Sequence, residues 1–209
     1  ILMNGKQIGV TEFKLNQSWK NSFIIPKDLI IKGDNDLAFI FSDLRSPAEF
    51  GIADERKLGF HFSKLVLKEL SPNLDITMTR YSHLSGFHAG EPSGRWSGET
   101  RARVHLFLAK PDHDLTFSFE GFPYLNEKFT RNEMSVFWNG KKIETVIFQM
   151  GKKWNNKIRI PKDLILQGEN TVEFQFKDLK APAEFGFPDA RKLGFHFVKI
   201  KTAELMPVE

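Results

Sequence analysis

Apolar and polar positions alternate along much of this chain. In 102–108, Ala102, Val104, Leu106 and Leu108 fall on one face, and Arg101, Arg103 and His105 fall on the other. In 115–120, Leu115, Phe117 and Phe119 alternate with Thr116, Ser118 and Glu120. In 172–177, Val172, Phe174 and Phe176 alternate with Glu173, Gln175 and Lys177. A period of two with one polar face predicts antiparallel strands in sheets that are wet on one side. The connections agree. Asn139-Gly140 sits between two strand-like runs, a strong hairpin signal, and Asn4-Gly5 repeats it. In IPKDLILQGENTVEFQF, Pro161 opens a short helical turn, Leu164 and Ile165 point inward, and Gly168 with Asn170 releases the chain into the next strand. No long helix is expected. The pattern predicts an all-β fold, an antiparallel β-sandwich of jelly-roll type with roughly eight short strands per unit.

The pattern also repeats. Residues 4–70 align without a gap on 139–205 at an offset of 135, and 35 of the 67 positions are identical. Identity is concentrated in one segment: SPAEFGIADERKLGFHF at 46–62 and APAEFGFPDARKLGFHF at 181–197 share 13 of 17 residues. Residues 76–135 have no counterpart ahead of Ile1. The expected organisation is therefore a complete unit at 71–209 and the back half of another at 1–70, joined at the turn-like SPN of 71–73. Half a sandwich cannot cover its own apolar face. Residues 1–70 are expected to pack on the second unit, to form a homodimer by strand exchange, or to dock on upstream domains of the same protein. The chain opens as ILMNG inside a strand-like run, without a signal-peptide pattern, and reads as a fragment whose targeting segments lie upstream.

Composition narrows the chemistry. There are 21 Phe against 2 Tyr, so most rings lack a polar handle and belong in a core. The net charge of +4, from 30 basic and 26 acidic residues, permits an anionic partner without requiring one. The absence of cysteine excludes disulfides, thiolate metal sites and cysteine nucleophiles. No apolar run approaches the ~18 residues needed to span a bilayer. No cofactor motif is present, neither a phosphate-binding glycine loop nor a nucleophile elbow.

The Gly-rich loop HLSGFHAGEPSGRWSG at 83–98 is the richest in polar and aromatic groups. Glu91 and Arg95 can bind paired hydroxyls, and Trp96 can stack on the apolar face of a pyranose. The same residues can equally form an internal plug, with Trp96 closing one end of the sandwich and Arg95 paired to Glu91. His83, His88 and Glu91 match no compact metal-ligand spacing, so no metal site is expected. His105 and His113 read as surface groups. Trp19 and Trp154, at matching positions of the repeat, are sugar platforms or else core or rim contacts, as expected of a residue that is usually highly buried. The candidate ligand-binding residues are His88, Glu91, Arg95, Trp96 and Trp154. Basic residues at 141–142, 152–153 and 157 lie near Trp154, but they form no stripe of the kind nucleic acid requires.

The repeated segment offers Glu184 and Asp189 as an acid–base pair, matched by Glu49 and Asp54. Arg191 stands two residues from Asp189, as Arg56 does from Asp54, and would neutralise it. Glu49, Asp54, Arg56, Glu184, Asp189 and Arg191 therefore read as a structural loop clip, with a Glu184–Arg191 or Asp189–Arg191 pair tying a long crossing loop and Phe185 pinning it. His196 alternates with Phe195 and Phe197, faces away from the core, and is expected to be half-buried and hydrogen-bonded.

The element IPKDLILQGENTVEFQF resembles the turn and strand of galactose-binding-like jelly rolls. The order GFHAGEPSGRWSGETRARVHLFL, FWNGKKI, APAEFGFPDARKLGFHFVKI resembles a β-sandwich domain attached to bacterial cell-envelope glycan enzymes, including membrane phosphoglycerol transferases and related glycosyltransferases. The resemblance spans about 81–205 and the back half of the first unit. It implies a periplasmic or other extracytoplasmic setting and an accessory, non-catalytic role. The partner would be a glycan or another anionic envelope ligand, and not nucleic acid. A purely structural or assembly domain is the alternative, and an enzyme in its own right would need convergent titratable groups in a deep pocket.

Overall fold

The computed structural model describes residues 1–12 and 21–205, in two compact units, Ile1–Leu67 and Lys68–Glu209. Unit 1 holds β1 (Leu2–Met3), β2 (Lys6–Gln7) and β3 (Leu37–Ala38) in a small antiparallel sheet of order β2-β1-β3. Short 3₁₀ turns lie at Lys27–Leu29 and Pro47–Phe50. Among its described residues only Met3 and Ser46 are buried.

Unit 2 is an antiparallel β-sandwich, built as the alternation predicts. Its strands are β4 (Leu74–Thr77), β5 (Leu84–Ser85), β6 (Arg95–Trp96), β7 (Arg101–Leu108), β8 (Leu115–Pro123), β9 (Arg131–Trp138), β10 (Lys141–Gln149), β11 (Lys157–Ile160), β12 (Gly168–Phe176) and β13 (Phe195–Glu204). One sheet has the order β10-β9-β12-β7-β5. The other has the order β11-β8-β13-β4, with β6 also paired to β13. The inward faces supply the core: Val104, Leu106 and Leu108 from β7, Val136 and Trp138 from β9, Val172 and Phe174 from β12, Phe117 and Phe119 from β8, and Phe195 and Phe197 from β13. Each such side chain contributes on the order of 1.5–3 kcal/mol of transfer free energy.

Asn139 and Gly140 both have positive φ, 47° and 83°, as the two-residue hairpin between β9 and β10 requires. Asn170 is fully buried and saturated. It accepts hydrogen bonds from Leu166 N (2.9 Å), Asn139 Nδ2 (2.9 Å) and Trp138 Nε1 (3.3 Å), and donates to Leu166 O (2.8 Å) and Gly168 O (3.0 Å). The same knot recurs in unit 1, where Asn4 Nδ2 donates to Asn35 Oδ1 (2.9 Å) and Asn35 holds Ile31 and Gly33. The repeated NG and G-x-N signals are one physical device, a polar tie between hairpin and 3₁₀ turn. Among the described residues no helix is long and apolar enough to cross a membrane.

Candidate functional site

The loop at 83–98 folds back on itself and lies against the sandwich. Glu91 and Gly94 exchange backbone hydrogen bonds (2.8 and 3.2 Å), closing a tight turn over Pro92 and Ser93. Arg95 and Trp96 then pair with Phe197 and His196 as β6. Fully buried Ser97 locks the end of this strand, its Oγ accepting from Phe195 N at 2.9 Å. Two glycines let neighbouring strands close on His196. A Cβ at Gly94 would lie 2.3 Å from Phe197 O, and one at Gly121 would lie 1.8 Å from His196 O. Both have φ of 153°, where a side chain is strained in any case.

His196 is on the outer face of its sheet, as its parity requires, yet it is almost fully buried at 1% exposure. Phe122 stacks on it, with centroids 4.7 Å apart and 23° between planes, and Trp96 meets it edge-on at 5.0 Å. The expectation of a half-buried, hydrogen-bonded histidine is corrected: neither ring nitrogen has a hydrogen-bond partner among the described residues. Burial pushes the His196 pKa below its ordinary value, and nearby Glu91 partly opposes this. The imidazole therefore serves as a flat underlay for Phe122.

Above it lies an aromatic patch. Phe122 is 51% exposed, and Trp96 packs edge-on against it at 5.3 Å and against Tyr124 at 6.3 Å. Phe185 of the crossing loop lies 6.4 Å from Tyr124. A chain of charges forms the border. Arg191 Nη1 donates to Glu91 Oε1 at 2.7 Å, and Arg191 Nη2 to Asp189 Oδ2 at 2.7 Å. Glu91 Oε2 is 3.8 Å from His196 Nε2, near but beyond hydrogen-bond distance. The guanidinium and the backbone N–H of Arg191 hold Asp189 down to about 2. Its two carboxylate partners in turn raise the pKa of Arg191 itself.

The sequence candidates separate on this frame. Glu91 and Trp96 sit together at the patch. Arg95 does not pair with Glu91, contrary to the plug reading. Its Nη2 donates to Thr79 O at 3.1 Å, and its Nε is buried without a partner among the described residues. The strand parity of β6 sends its side chain away from that of Trp96. His88 is half-buried, its Nε2 at 2.8 Å from Lys192 O, holding the loop to the clip. Trp154 packs on the core, stacked on Phe119 at 5.3 Å and edge-on to Phe148 and Phe195. Trp19 lies outside the described residues.

In the crossing loop Asp189 takes Arg191, whereas Glu184 takes Lys180 (3.3 Å) and Ala181 N (2.9 Å), so no Glu184–Arg191 pair forms. Unit 1 has the same geometry, with Arg56 on Asp54 (2.7 Å) and Glu49 on Arg45 (3.1 Å) and Ser46 N (3.0 Å). His105 is not simply solvated, since its Nδ1 lies 2.7 Å from Glu169 Oε1. Among the described residues no group of three or more His, Asp or Glu is placed to hold a metal ion.

Sequence reasoning missed Phe122, Tyr124 and the Glu91–Arg191 pair. Phe122 had a signal: it continues the outward parity of Thr116, Ser118 and Glu120 along β8. The Glu91–Arg191 pair had none, because its members are 100 residues apart. Two open polar clefts are lined by other residues. One of about 220 Å³ lies among Asp112, His113, Asp114, Arg159, Lys162 and Leu205, and one of about 100 Å³ among Arg131, Asn132, Glu133, Lys177 and Asp178.

No family model matches the sequence, and no curated protein matches it. Among solved structures it is similar to a family 35 carbohydrate binding module from Clostridium thermocellum, at 12% identity and a TM-score of 0.39, over 64% of this chain and 98% of that one. It is similar also to CBM35 from Cellvibrio japonicus Abf62, at 13% identity and a TM-score of 0.40, over 64% and 94% of the two chains. A third is the CBM36-1 domain of a multidomain xylanase from the hindgut metagenome of Trinervitermes trinervoides, at 8% identity and a TM-score of 0.35, over 65% and 99%.

Proposed function

We propose that residues 68–209 form a non-catalytic carbohydrate-binding module whose ligand lies on Trp96, Phe122 and Tyr124. The observation that carries this reading is the exposed Phe122 ring held flat on the buried His196, with Trp96 edge-on beside it. Such a patch is rigid before the ligand arrives, so stacking a sugar ring on it loses little side-chain entropy. Glu91 and Arg191 at the border are oriented by each other and by Asp189, and offer an acceptor and donors to sugar hydroxyls.

Binding without turnover follows from the same charges. Asp189, held ionised down to about 2, is a poor proton donor, and Glu91 is tied to a guanidinium. The wider setting proposed is the extracytoplasmic side of a bacterial envelope, where the module would position a glycan for a glycan-modifying enzyme. Its support is the order of the 86–108, 137–143 and 181–200 segments.

Titration of the isotope-labelled protein with envelope-type oligosaccharides tests the reading. Shifts should cluster on Trp96, Phe122, Tyr124 and Arg191. Trp96→Ala and Phe122→Ala should each weaken binding by about tenfold or more, roughly 1.4 kcal/mol or above, with the fold retained. Shifts confined to other surfaces, or none with any glycan, would refute it. A second reading, assembly, is favoured by the exposed apolar face of unit 1.

A further inference from the structure

The border of the aromatic patch is unbalanced in charge. Two carboxylates, Glu91 and Asp189, share the single guanidinium of Arg191, which leaves one negative charge in excess while the histidines are neutral. Arg191 donates from Nε and Nη2 to Asp189 and from Nη1 to Glu91 Oε1. Glu91 Oε2 accepts no hydrogen bond among the described residues and lies 3.8 Å from His196 Nε2. The neighbouring cations are engaged elsewhere. Lys180 donates to Glu184, and Lys192 also acts on the Glu184 carboxyl. Arg95 faces the opposite side of β6 and donates to Thr79 O. Two residues before Phe122 on β8, Glu120 belongs to a balanced group in which it and Asp75 are matched by Lys199 and Lys201.

The aromatic rings and the free carboxylate oxygen stand around the same imidazole. His196 has Glu91 Oε2 at 3.8 Å, Phe122 stacked on it at 4.7 Å and Trp96 edge-on at 5.0 Å. Trp96 is inclined at 86° to Phe122 and at 78° to Tyr124, so the exposed Phe122 ring has a second ring rising beside it. The quadrupole of an aromatic ring attracts a cation placed over its face within about 6 Å of the centroid. No charge beneath Phe122 competes for that attraction near neutral pH, since burial pushes His196 below its ordinary pKa. An unpartnered carboxylate oxygen beside an exposed ring is complementary to a cation and repels an anion.

We infer that the patch selects a glycan carrying free amino groups, with the ammonium of one sugar over Phe122 and against Glu91 Oε2. This rests on the carbohydrate reading of the patch and adds the chemical class of the sugar. An N-acetylated sugar keeps the stacking surface but loses the charge. A sugar acid brings a further carboxylate up to Glu91. The order of affinity is therefore free amine, then N-acetyl, then acid. Glu91 is partly exposed, so salt screens the preference.

The test is calorimetric titration of the 209-residue protein with three oligosaccharides of one length and linkage, built from glucosamine, N-acetylglucosamine or glucuronic acid, at a pH that keeps the amine protonated. The glucosamine form should bind about tenfold or more tighter than the N-acetylated form, and the acidic form should bind most weakly. The advantage of the amine should shrink as salt is raised. Glu91→Gln should bring the first two affinities to within about threefold of each other. The comparison of ligands on the unaltered protein decides even where that variant fails to fold. Equal affinities for the amine and its N-acetylated form, or tightest binding of the acid, overturn the inference and leave the carbohydrate reading standing. So does an amine preference that survives in a folded Glu91→Gln variant. Binding of none of the three also overturns it, and the wider oligosaccharide titration then decides the carbohydrate reading separately.

Discussion

His196 is the residue on which the patch rests, and it carries two buried ring nitrogens without hydrogen-bond partners among the described residues. An unsatisfied buried polar atom costs about 1–3 kcal/mol. His196→Phe, which preserves the stack on Phe122 and removes both nitrogens, should therefore be neutral to stabilising, measured as the midpoint of denaturant unfolding. The wild-type chain should show a pH dependence that this variant lacks. The folded-state pKa is depressed by burial below its ordinary value of 6.5, so in the window below 6.5 the unfolded state binds the proton first. Stability then falls as pH drops below 6.5 toward the folded-state pKa, and the slope should vanish in His196→Phe. Asp189 follows the same proton logic at lower pH, since its folded-state pKa also lies below its ordinary value. Its carboxylate, held to about 2, contributes stability above its ordinary 3.8 that is lost as pH falls between 3.8 and 2.

At the scale of the element, the repeat is held by its turns. The knot of Asn170 with Asn139 joins the β9–β10 hairpin to the 3₁₀ turn at Lys162–Leu164 and takes the Trp138 indole as a further donor. Asn170→Ala leaves the Leu166 N–H and the Trp138 N–H without this acceptor inside the sandwich. The expected loss is on the order of 3 kcal/mol in chemical unfolding, with the hairpin amides near Thr171 losing exchange protection. The clip is the second such element. Arg191 ties Asp189 within its own loop, as Arg56 ties Asp54, but only Arg191 also reaches a carboxylate of another loop, Glu91. The charged segment thus has one structural role common to both units and one additional contact in unit 2, beside the aromatic patch.

For the whole molecule, burial is uneven. Unit 2 contains the aromatic and aliphatic core, whereas unit 1 buries Met3 and Ser46 among its described residues. Calorimetric unfolding should reflect this. At about 0.7 kcal/mol per residue near 60 °C, unit 2 alone gives an enthalpy of about 100 kcal/mol, against about 150 kcal/mol if all of the chain unfolded cooperatively. A single transition near the smaller value is expected, and a transition at the larger value would show that unit 1 has a core of its own.

The sequence by itself determined the strands, the hairpins and the repeat. Alternation of two, the NG turns and the G-x-N releases are local signals, and each depends on backbone geometry within a few residues. It also determined that Asp189 would be neutralised, because Arg191 is two positions away. Tertiary structure decided the rest. Arg95 and Trp96 are neighbours in sequence, but a strand sends them to opposite faces. Glu91 found Arg191, not Arg95, because β6 docks beside β13. His196 became buried on an outward face only because Gly94 and Gly121 allow two strands to close around it and Phe122 covers it. The same LGFHF is buried at 193–197 and mostly exposed at 58–62, because burial depends on the strands laid against a segment and not on its own residues.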